Sequence, residues 1–229
     1  MSIPAHLQIA IDGPAASGKT TVARRLASQL RILYLDTGAM YRALAYLTLQ
    51  TRNEADNEGA LLRLLEQHEI RVSSDVDAPL GFRIFAGDRE LGEAVLQSNE
   101  VTAIVSTIAA HPKIREAMVH AQRRIAQEGP VVMAGRDIGT VVLPLAQVKI
   151  FLTASVGARV ERRRVQLEAA GVDVNEHRLA EEIEERDRLD RSRAVSPLIP
   201  APDAHIVDSS AIGIERVLEE IAAIVERSR

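Results

Sequence analysis

The sequence predicts an α/β protein with a five-stranded parallel sheet flanked by helices. Five short apolar segments are typical of buried strands, and most are followed by apolar residues spaced as one face of a helix, which is the alternation of βαβ units. These segments are residues 7–12, 32–35, 131–134, 148–153 and 205–208. With 229 residues, the chain is long enough for one substantial domain of this class with an insertion.

Helix signals follow the strands in order. After the second strand, Asp36 or Thr37 can cap a helix over residues 38–50. A later helix ends near His111, and another begins with Pro112 in its first turn. The last strand leads into a terminal helix whose apolar face runs through residues 214–224.

Residues 55–92 interrupt this alternation. Within them, residues 70–73 and 82–85 alternate in polarity, and turn-rich sequence separates the two runs. This pattern predicts a small antiparallel sheet, which we interpret as an insertion rather than a separate domain.

Composition excludes several classes of protein. The formal charge of −4 argues against broad nucleic-acid binding, and the absence of cysteine excludes a disulfide framework. No run approaches the ~18 apolar residues of a membrane span, and the first ten residues lack the pattern of a signal peptide. We therefore expect a cytoplasmic protein without a membrane or nucleic-acid partner.

Residues 13–20 read GPAASGKT and match the phosphate-loop pattern G-x-x-x-x-G-K-[ST] between a strand and a helix. In such loops backbone N–H groups and the helix N-terminus surround phosphates, the lysine reaches the β- and γ-phosphates, and the hydroxyl after it binds Mg²⁺. Here those two residues are Lys19 and Thr20. We assign nucleotide phosphates to Gly13, Pro14, Ala15, Ala16, Ser17, Gly18, Lys19, Thr20 and Thr21.

Arginines mark a second anion site. Arginine stays charged and binds phosphate oxygens bidentately, as transfer between two anions requires. Thr37 and Arg42 follow the second strand, and Arg136-Asp137 stand between glycines after the third, at the edge where open α/β sheets bind ligands. The alternatives are a helix cap for Thr37, a solvated helix face for Arg42 and a surface turn for the Arg-Asp pair.

Residues 159–193 hold nine arginines and ten acids, so much of this region is expected to be solvated helix surface with internal ion pairs. Three arginines lie within one helical turn just past the fourth strand, where a mobile flap could bring them to a triphosphate: Arg159, Arg162 and Arg163. Arg186, Asp190 and Arg193 share one face of the next helix, where they could hold a phosphate and a sugar hydroxyl or form a salt-bridge ladder.

Six segments, in order and spread over most of the chain, resemble bacterial cytidylate kinases. They are IAIDGPAASGKTT, YLDTGAMYRA, VSTIAAHPKIREA, GRDIGTVVLP, KIFLTAS and ERDRLDRSRAVSPLIPAPDA. The resemblance implies transfer of the γ-phosphoryl group of ATP to CMP or dCMP with Mg²⁺, and a nucleoside monophosphate kinase fold. That fold divides the single domain into a core (about 1–37, 131–158 and 194–229), an acceptor-binding region (about 38–130) and a lid with its following helix (about 159–193).

The resemblance also implies roles for individual residues. The acceptor pocket would comprise Thr37, Arg42, Ser106, Arg115, Arg136, Asp137, Arg186, Asp190 and Arg193. Ser106, Arg115 and Asp137 would read cytosine, whose exocyclic amine a carboxylate accepts, whereas uracil would leave Asp137 unpaired. Arg186 and Asp190 would bind the sugar hydroxyls. The α-phosphate would bind Arg42, Arg136 and Arg193, and the catalytic set would be Lys19, Arg136 and Arg193.

Two alternatives to this function stay open on sequence. One is another phosphate-loop kinase acting on UMP or on a non-nucleotide acceptor. The other is a regulatory GTP switch, which the absence of an N-K-x-D base-reading sequence disfavours. A catalytically idle scaffold is disfavoured because the loop lysine and the ordered arginines are all present. We expect a monomer that acts on small-molecule nucleotides.

Overall fold

The computed structural model describes residues 4, 6–75, 77–169, 171–193 and 195–228. Five strands form a parallel sheet in the order β2–β6–β1–β7–β8. They are β1 (Gln8–Asp12), β2 (Leu33–Asp36), β6 (Val131–Gly135), β7 (Val148–Thr153) and β8 (His205–Asp208). A second sheet is antiparallel, in the order β3 (Ile70–Ser74), β4 (Phe82–Ala86) and β5 (Arg89–Glu90).

The helices of the described residues follow the strands as βαβ units require. They are α1 (Lys19–Leu30), α2 (Thr37–Gln50), α3 (Glu58–Gln67), α4 (Glu93–Leu96), α5 (Asn99–Ile108), α6 (Pro112–Gln127), α7 (Val156–Ala169), α8 (Glu176–Ser192) and α9 (Ile214–Arg227). A short π-helix covers Ile138–Val142. Within the described part of the chain, no helix combines the length and the apolar character that crossing a membrane requires.

The predicted fold class is confirmed, and strand bounds differ from expectation by one residue at most. Asp36, rather than Thr37, caps α2, because its carboxylate accepts a hydrogen bond from the Gly38 N–H. The sequence analysis missed α3. Its signals are present: Asn57 accepts from the Ala60 N–H as N-cap, and Leu61 and Leu64 lie buried on one face.

Internal contacts divide the chain into two compact units. The first comprises Ala27–Met133 with the segment up to Leu7, and the second comprises Gln8–Leu26 with Ala134–Arg229. In the first unit, α2 packs against α5 and β4, and α3 packs against α6. Tyr34 meets Phe82 edge to face, with ring centroids 5.7 Å apart, so that the antiparallel sheet contributes to the apolar core of this unit.

In the second unit, β1 pairs with β7 and β7 with β8, and α7 packs against α8. The apolar side chains of β1 and β7 alternate between faces but are buried on both, as expected for parallel strands covered by helices. The segments after β1, β6 and β7 leave the sheet at its carboxyl edge, which brings residues distant in sequence together there.

Candidate active site

The phosphate loop lies between β1 and α1 and has an unusual backbone. Gly13, Ala16 and Gly18 all have positive φ angles, of 155°, 58° and 93°. A β-carbon at Gly13 would stand 2.1 Å from the carbonyl oxygen of Leu152 in β7, so only glycine fits there. Ala16 holds a left-handed conformation that costs an L-residue about 1–2 kcal/mol. Strain of this kind concentrates at ligand-binding loops.

Four cationic side chains donate hydrogen bonds to carbonyl oxygens of this loop. Lys19 Nζ lies 2.8 Å from the Pro14 oxygen. The three arginines that do the same, which we call the loop arginines, are Arg136 on Gly13 (2.9 Å), Arg159 on Ala15 (3.3 Å) and Arg162 on Ser17 (3.2 Å). The loop carbonyls therefore accept hydrogen bonds from four cations, which are contributed by the segment after β6, by α7 and by α1.

Asp190 of α8 lies between two arginines of the predicted acceptor set. Its Oδ2 is 2.7 Å from Arg136 Nε, and its Oδ1 is 2.5 Å from Arg193 Nη2. Burial alone would raise the pKa of Asp190, but the charges of Arg136 and Arg193 and the Arg136 hydrogen bond outweigh burial and hold this pKa below its ordinary value. Asp190 is thus a fixed negative charge that orients both guanidinium groups. Arg193 lies just past the end of α8 rather than within the helix.

The GRDIG segment after β6 is organised by Asp12, the last residue of β1. Its two carboxylate oxygens accept the N–H groups of Ile138 (2.8 Å) and Gly139 (2.7 Å) at the start of the π-helix. The sequence predicts a turn between Gly135 and Gly139 that holds Arg136 and Asp137 toward a ligand, whereas in the structure a π-helix begins at Ile138. The pKa of Asp12 is raised to about 6, chiefly by burial and to a smaller degree by the negative charge of Asp137, against the lowering effect of the two backbone bonds and of Lys19.

The arginines predicted for the lid have different surroundings. Arg159 is only 3% exposed and pairs with Asp187 of α8, Nη2 to Oδ2, at 2.7 Å. Arg162 binds Ser209 through the side-chain and backbone oxygens of that residue, as well as Ser17. Arg163 is half-buried and donates a hydrogen bond to the side-chain oxygen of Gln166 at 2.7 Å. The assignment of these three arginines to a triphosphate stays a prediction.

Predicted acceptor residues in the first unit form a separate group. Arg42 of α2 donates to the Leu96 carbonyl and to the Thr102 hydroxyl of α5, the helix that also carries Ser106. Arg115 of α6 is 3% exposed, and its guanidinium lies 5.7 Å from the ring centroid of Tyr41. Thr37, at the start of α2, is buried. Helices α2, α5 and α6 thus carry all four predicted residues of this unit.

Comparison with known proteins gives the family. A family model described as cytidylate kinase matches residues 9–227. The chain belongs to the cytidylate kinase family. Cytidylate kinases of Pelotomaculum thermopropionicum and Enterococcus faecalis are 46% and 48% identical to it over 221 residues, which is 96% of this chain and 96% of each relative. A solved structure of an uncharacterized protein from Eubacterium ventriosum matches with a TM-score of 0.55 at 13% identity, over 96% of this chain and 98% of that chain, which is a likeness of fold alone.

Membership of the cytidylate kinase family makes this chain a phosphotransferase that phosphorylates CMP or dCMP with ATP as co-substrate. The predicted family resemblance and activity are therefore confirmed.

Sequence reasoning did not find three polar residues of the site: Asp12, Asp187 and Ser209. The sequence does contain a signal for Asp12, because a carboxylate at the end of a buried apolar strand requires hydrogen-bond partners. Asp187 stands three positions before Asp190, on the same helix face. This helical spacing of two carboxylates is the sequence signal that indicates Asp187.

Proposed function

We propose that this cytidylate kinase transfers the γ-phosphoryl group of ATP directly to a phosphate oxygen of CMP or dCMP, in line and without a covalent enzyme intermediate. The observation that carries this mechanism is Arg136, which donates both to the Gly13 carbonyl of the phosphate loop and to Asp190. One guanidinium thereby joins the donor loop to the helix expected to hold the acceptor.

No side chain has to act as nucleophile or general base. The acceptor phosphate has a second pKa near 6 and is largely ionised at neutral pH. The chain has to position two anions and offset their repulsion, which is how most phosphoryl-transfer enzymes work. We assign this role to Lys19, Arg136 and Arg193. For Lys19, it requires the ammonium to leave the Pro14 carbonyl for the phosphates.

The residues beside the loop fit a magnesium ion that arrives with the nucleotide. Thr20 is exposed in the first turn of α1, and Mg²⁺ prefers oxygen ligands from phosphates, hydroxyls and water over an all-protein cage. No cluster of three His, Asp or Glu side chains that could hold a metal occurs among the described residues. We propose that Thr20 supplies the protein ligand. When bound, the ion would offset charge on the β- and γ-phosphate oxygens.

We propose that the α7 arginines Arg162 and Arg163 contact the triphosphate of ATP. Arg159, the third arginine predicted for the triphosphate, binds Asp187 and the Ala15 carbonyl of the phosphate loop in this structure. For the acceptor we propose the residues predicted from the sequence, which are Thr37, Arg42, Ser106, Arg115, Arg136, Asp137, Arg186, Asp190 and Arg193. Asp137 is 6% exposed, and a carboxylate with so little access to water would discriminate strongly between the amine of cytosine and the carbonyl of uracil.

We propose that the enzyme works as a cytoplasmic monomer on free nucleotides. The formal charge of −4 supports the absence of a nucleic-acid partner. Size-exclusion chromatography at micromolar concentration would show a mass near 25 kDa, and a mass near twice that value would contradict the monomer.

An acceptor panel tests the function. The enzyme, ATP and Mg²⁺ are combined with CMP, dCMP, UMP or no acceptor, and ADP release is followed. We expect rapid release with CMP and dCMP, slow release with UMP, and almost none without an acceptor. Equal rates with UMP would contradict the role of Asp137. Tight GTP binding without acceptor-dependent turnover would favour a regulatory switch.

A further inference from the structure

A second arginine–carboxylate pair lies beside the one already described. Arg159 of α7 and Asp187 of α8 are both almost fully buried, with side-chain exposures of 4% and 7%, and their nearest charged atoms are 2.7 Å apart. The Arg159 guanidinium also donates to the carbonyls of Ala154 (3.2 Å) and Ala15 (3.3 Å). One side chain thereby bonds the end of β7, helix α8 and the phosphate loop.

The two pairs repeat one arrangement. Asp187 and Asp190 are three residues apart on α8, and each holds an arginine that donates to a loop carbonyl, Arg159 to Ala15 and Arg136 to Gly13. The resemblance to known kinases places Arg136 and Asp190 at the acceptor. It gives Asp187 no role.

The contact with Ala15 affects a phosphate-binding group. The Ala15 carbonyl and the Ala16 N–H belong to one planar trans peptide unit, so they point in opposite directions. An arginine that fixes the direction of this carbonyl therefore also fixes the direction of the Ala16 N–H, which is one of the backbone donors expected to bind phosphate. Ala16 is also the residue in the left-handed conformation, which surrounding contacts have to maintain.

A buried ion pair is seldom explained by stability alone, since an apolar pair of similar volume is often as stable or more stable. Arginine offers five donors in a fixed fork, which lets it hold a carboxylate and two carbonyls at once. A lysine could retain the charge next to Asp187 but could not reproduce that fork. The pair is therefore better suited to fixing geometry than to adding stability.

We propose that Arg159 and Asp187 are positioning residues that fix α8 to the phosphate loop, so that binding of ATP increases the affinity for the acceptor. This inference rests on the proposed function of the same site. Nucleotide phosphates order the loop, the Ala15 carbonyl transmits that order to Arg159, and Asp187 transmits it to the helix that carries Arg186 and Asp190. The coupling is reciprocal, so CMP increases the affinity for ATP by the same factor.

The test measures coupling rather than activity alone. The dissociation constant of CMP is determined by calorimetry with and without a non-hydrolysable ATP analogue, and the ratio of the two values is the coupling factor. The variants are Asp187→Asn, Arg159→Lys and the apolar pair Arg159→Met with Asp187→Leu. The matched control is Arg188→Gln, which removes an exposed ion pair with Glu185 one residue after Asp187.

For the unmodified enzyme we expect a coupling factor of roughly fivefold or more. We expect the factor to fall below about twofold in all three variants, with the KM for ATP rising more than kcat falls, and to stay unchanged in Arg188→Gln. The coupling factor of the apolar pair should be no lower than that of the single variants, because each variant breaks the same link between α8 and the phosphate loop. Thermal melting reports whether each variant folds, and Asp187→Asn remains informative if the apolar pair fails to fold.

Two results would overturn the inference. One is a folded Asp187→Asn or Arg159→Lys variant with the coupling factor of the unmodified enzyme, and the other is an unmodified enzyme without coupling. Failure of the proposed function would look different, since the unmodified enzyme would then release no ADP in response to CMP.

Discussion

The two faces of α8 carry arginines and acids at similar spacing but differ in burial. On the inner face Asp187 and Asp190 are almost fully buried and hold Arg159 and Arg136. On the outer face Arg188 pairs with Glu185, and these side chains are 64% and 53% exposed. A pair of the outer kind contributes about 0–1 kcal/mol, whereas removing one partner of a buried pair costs about 3–5 kcal/mol. The number of arginines in a segment therefore does not indicate which of them take part in function.

The two faces also differ in what their arginines bind besides a carboxylate. Arg136 and Arg159 each bind a carboxylate of α8 and also donate to a carbonyl of the phosphate loop, whereas Arg188 binds Glu185 on the same helix. The inner face is thus linked to the phosphate loop, and the outer face is exposed to solvent.

The largest effect is expected at Lys19, the cation that the loop provides itself. Lys19→Ala should reduce kcat by about 100–1000-fold, since it removes charge stabilisation at the moving phosphoryl group. The check is ADP release with CMP as acceptor, alongside Arg178→Ala on the exposed face of α8, which should stay within about twofold of the unmodified enzyme. If the activity of Lys19→Ala were close to that of Arg178→Ala, the proposed difference between cations of the site and cations of the protein surface would be contradicted.

A smaller effect, in stability, is expected at Asp12. Asp12 is as buried as Asp190, but its oxygens accept backbone N–H groups, and its pKa is raised to about 6 where that of Asp190 is lowered. A carboxyl whose pKa is raised on folding stabilises the fold most below its unfolded pKa of 3.8, and this contribution is lost as pH rises through about 6.

Asp12→Asn removes this titration. The unfolding free energy of the variant, relative to the unmodified protein, should therefore rise by up to about 3 kcal/mol between pH 4 and pH 8. Urea unfolding at the two pH values measures the difference. A difference that does not change with pH would show that Asp12 is not the buried titrating group described here.

How much of the fold and of the site could be predicted from the sequence depends on how far apart in the chain the interacting residues are. The strands, the phosphate loop and most helices follow from local periodicity and from caps such as Asp36. The partners of the arginines do not, because Arg136 meets Gly13 and Asp190 only once the sheet has brought its carboxyl edge together. The spacing of Arg186, Asp190 and Arg193 left a phosphate site and a salt-bridge ladder equally open, and burial was the missing information.

The smallest effect is expected at Ala16. Ala16→Gly relieves the left-handed strain but increases the freedom of the unfolded chain, so a net gain of less than about 1 kcal/mol is expected. Ala180→Gly, inside α8, is the matched control and should lose about 0.5–1 kcal/mol. Urea unfolding measures whether the unfolding free energy of each variant rises or falls. A loss of stability in Ala16→Gly would show that the loop conformation carries no strain.

The most direct test compares, in a single assay, an arginine that the inner face of α8 holds with an arginine on the outer face. ADP release with saturating ATP and CMP is measured for Arg136→Ala and Arg188→Ala, with thermal melting as a check of folding. The account predicts a loss of about 100-fold or more in Arg136→Ala and a change of less than about twofold in Arg188→Ala. A folded Arg136→Ala variant with nearly full activity, or an equal loss in both variants, would contradict it.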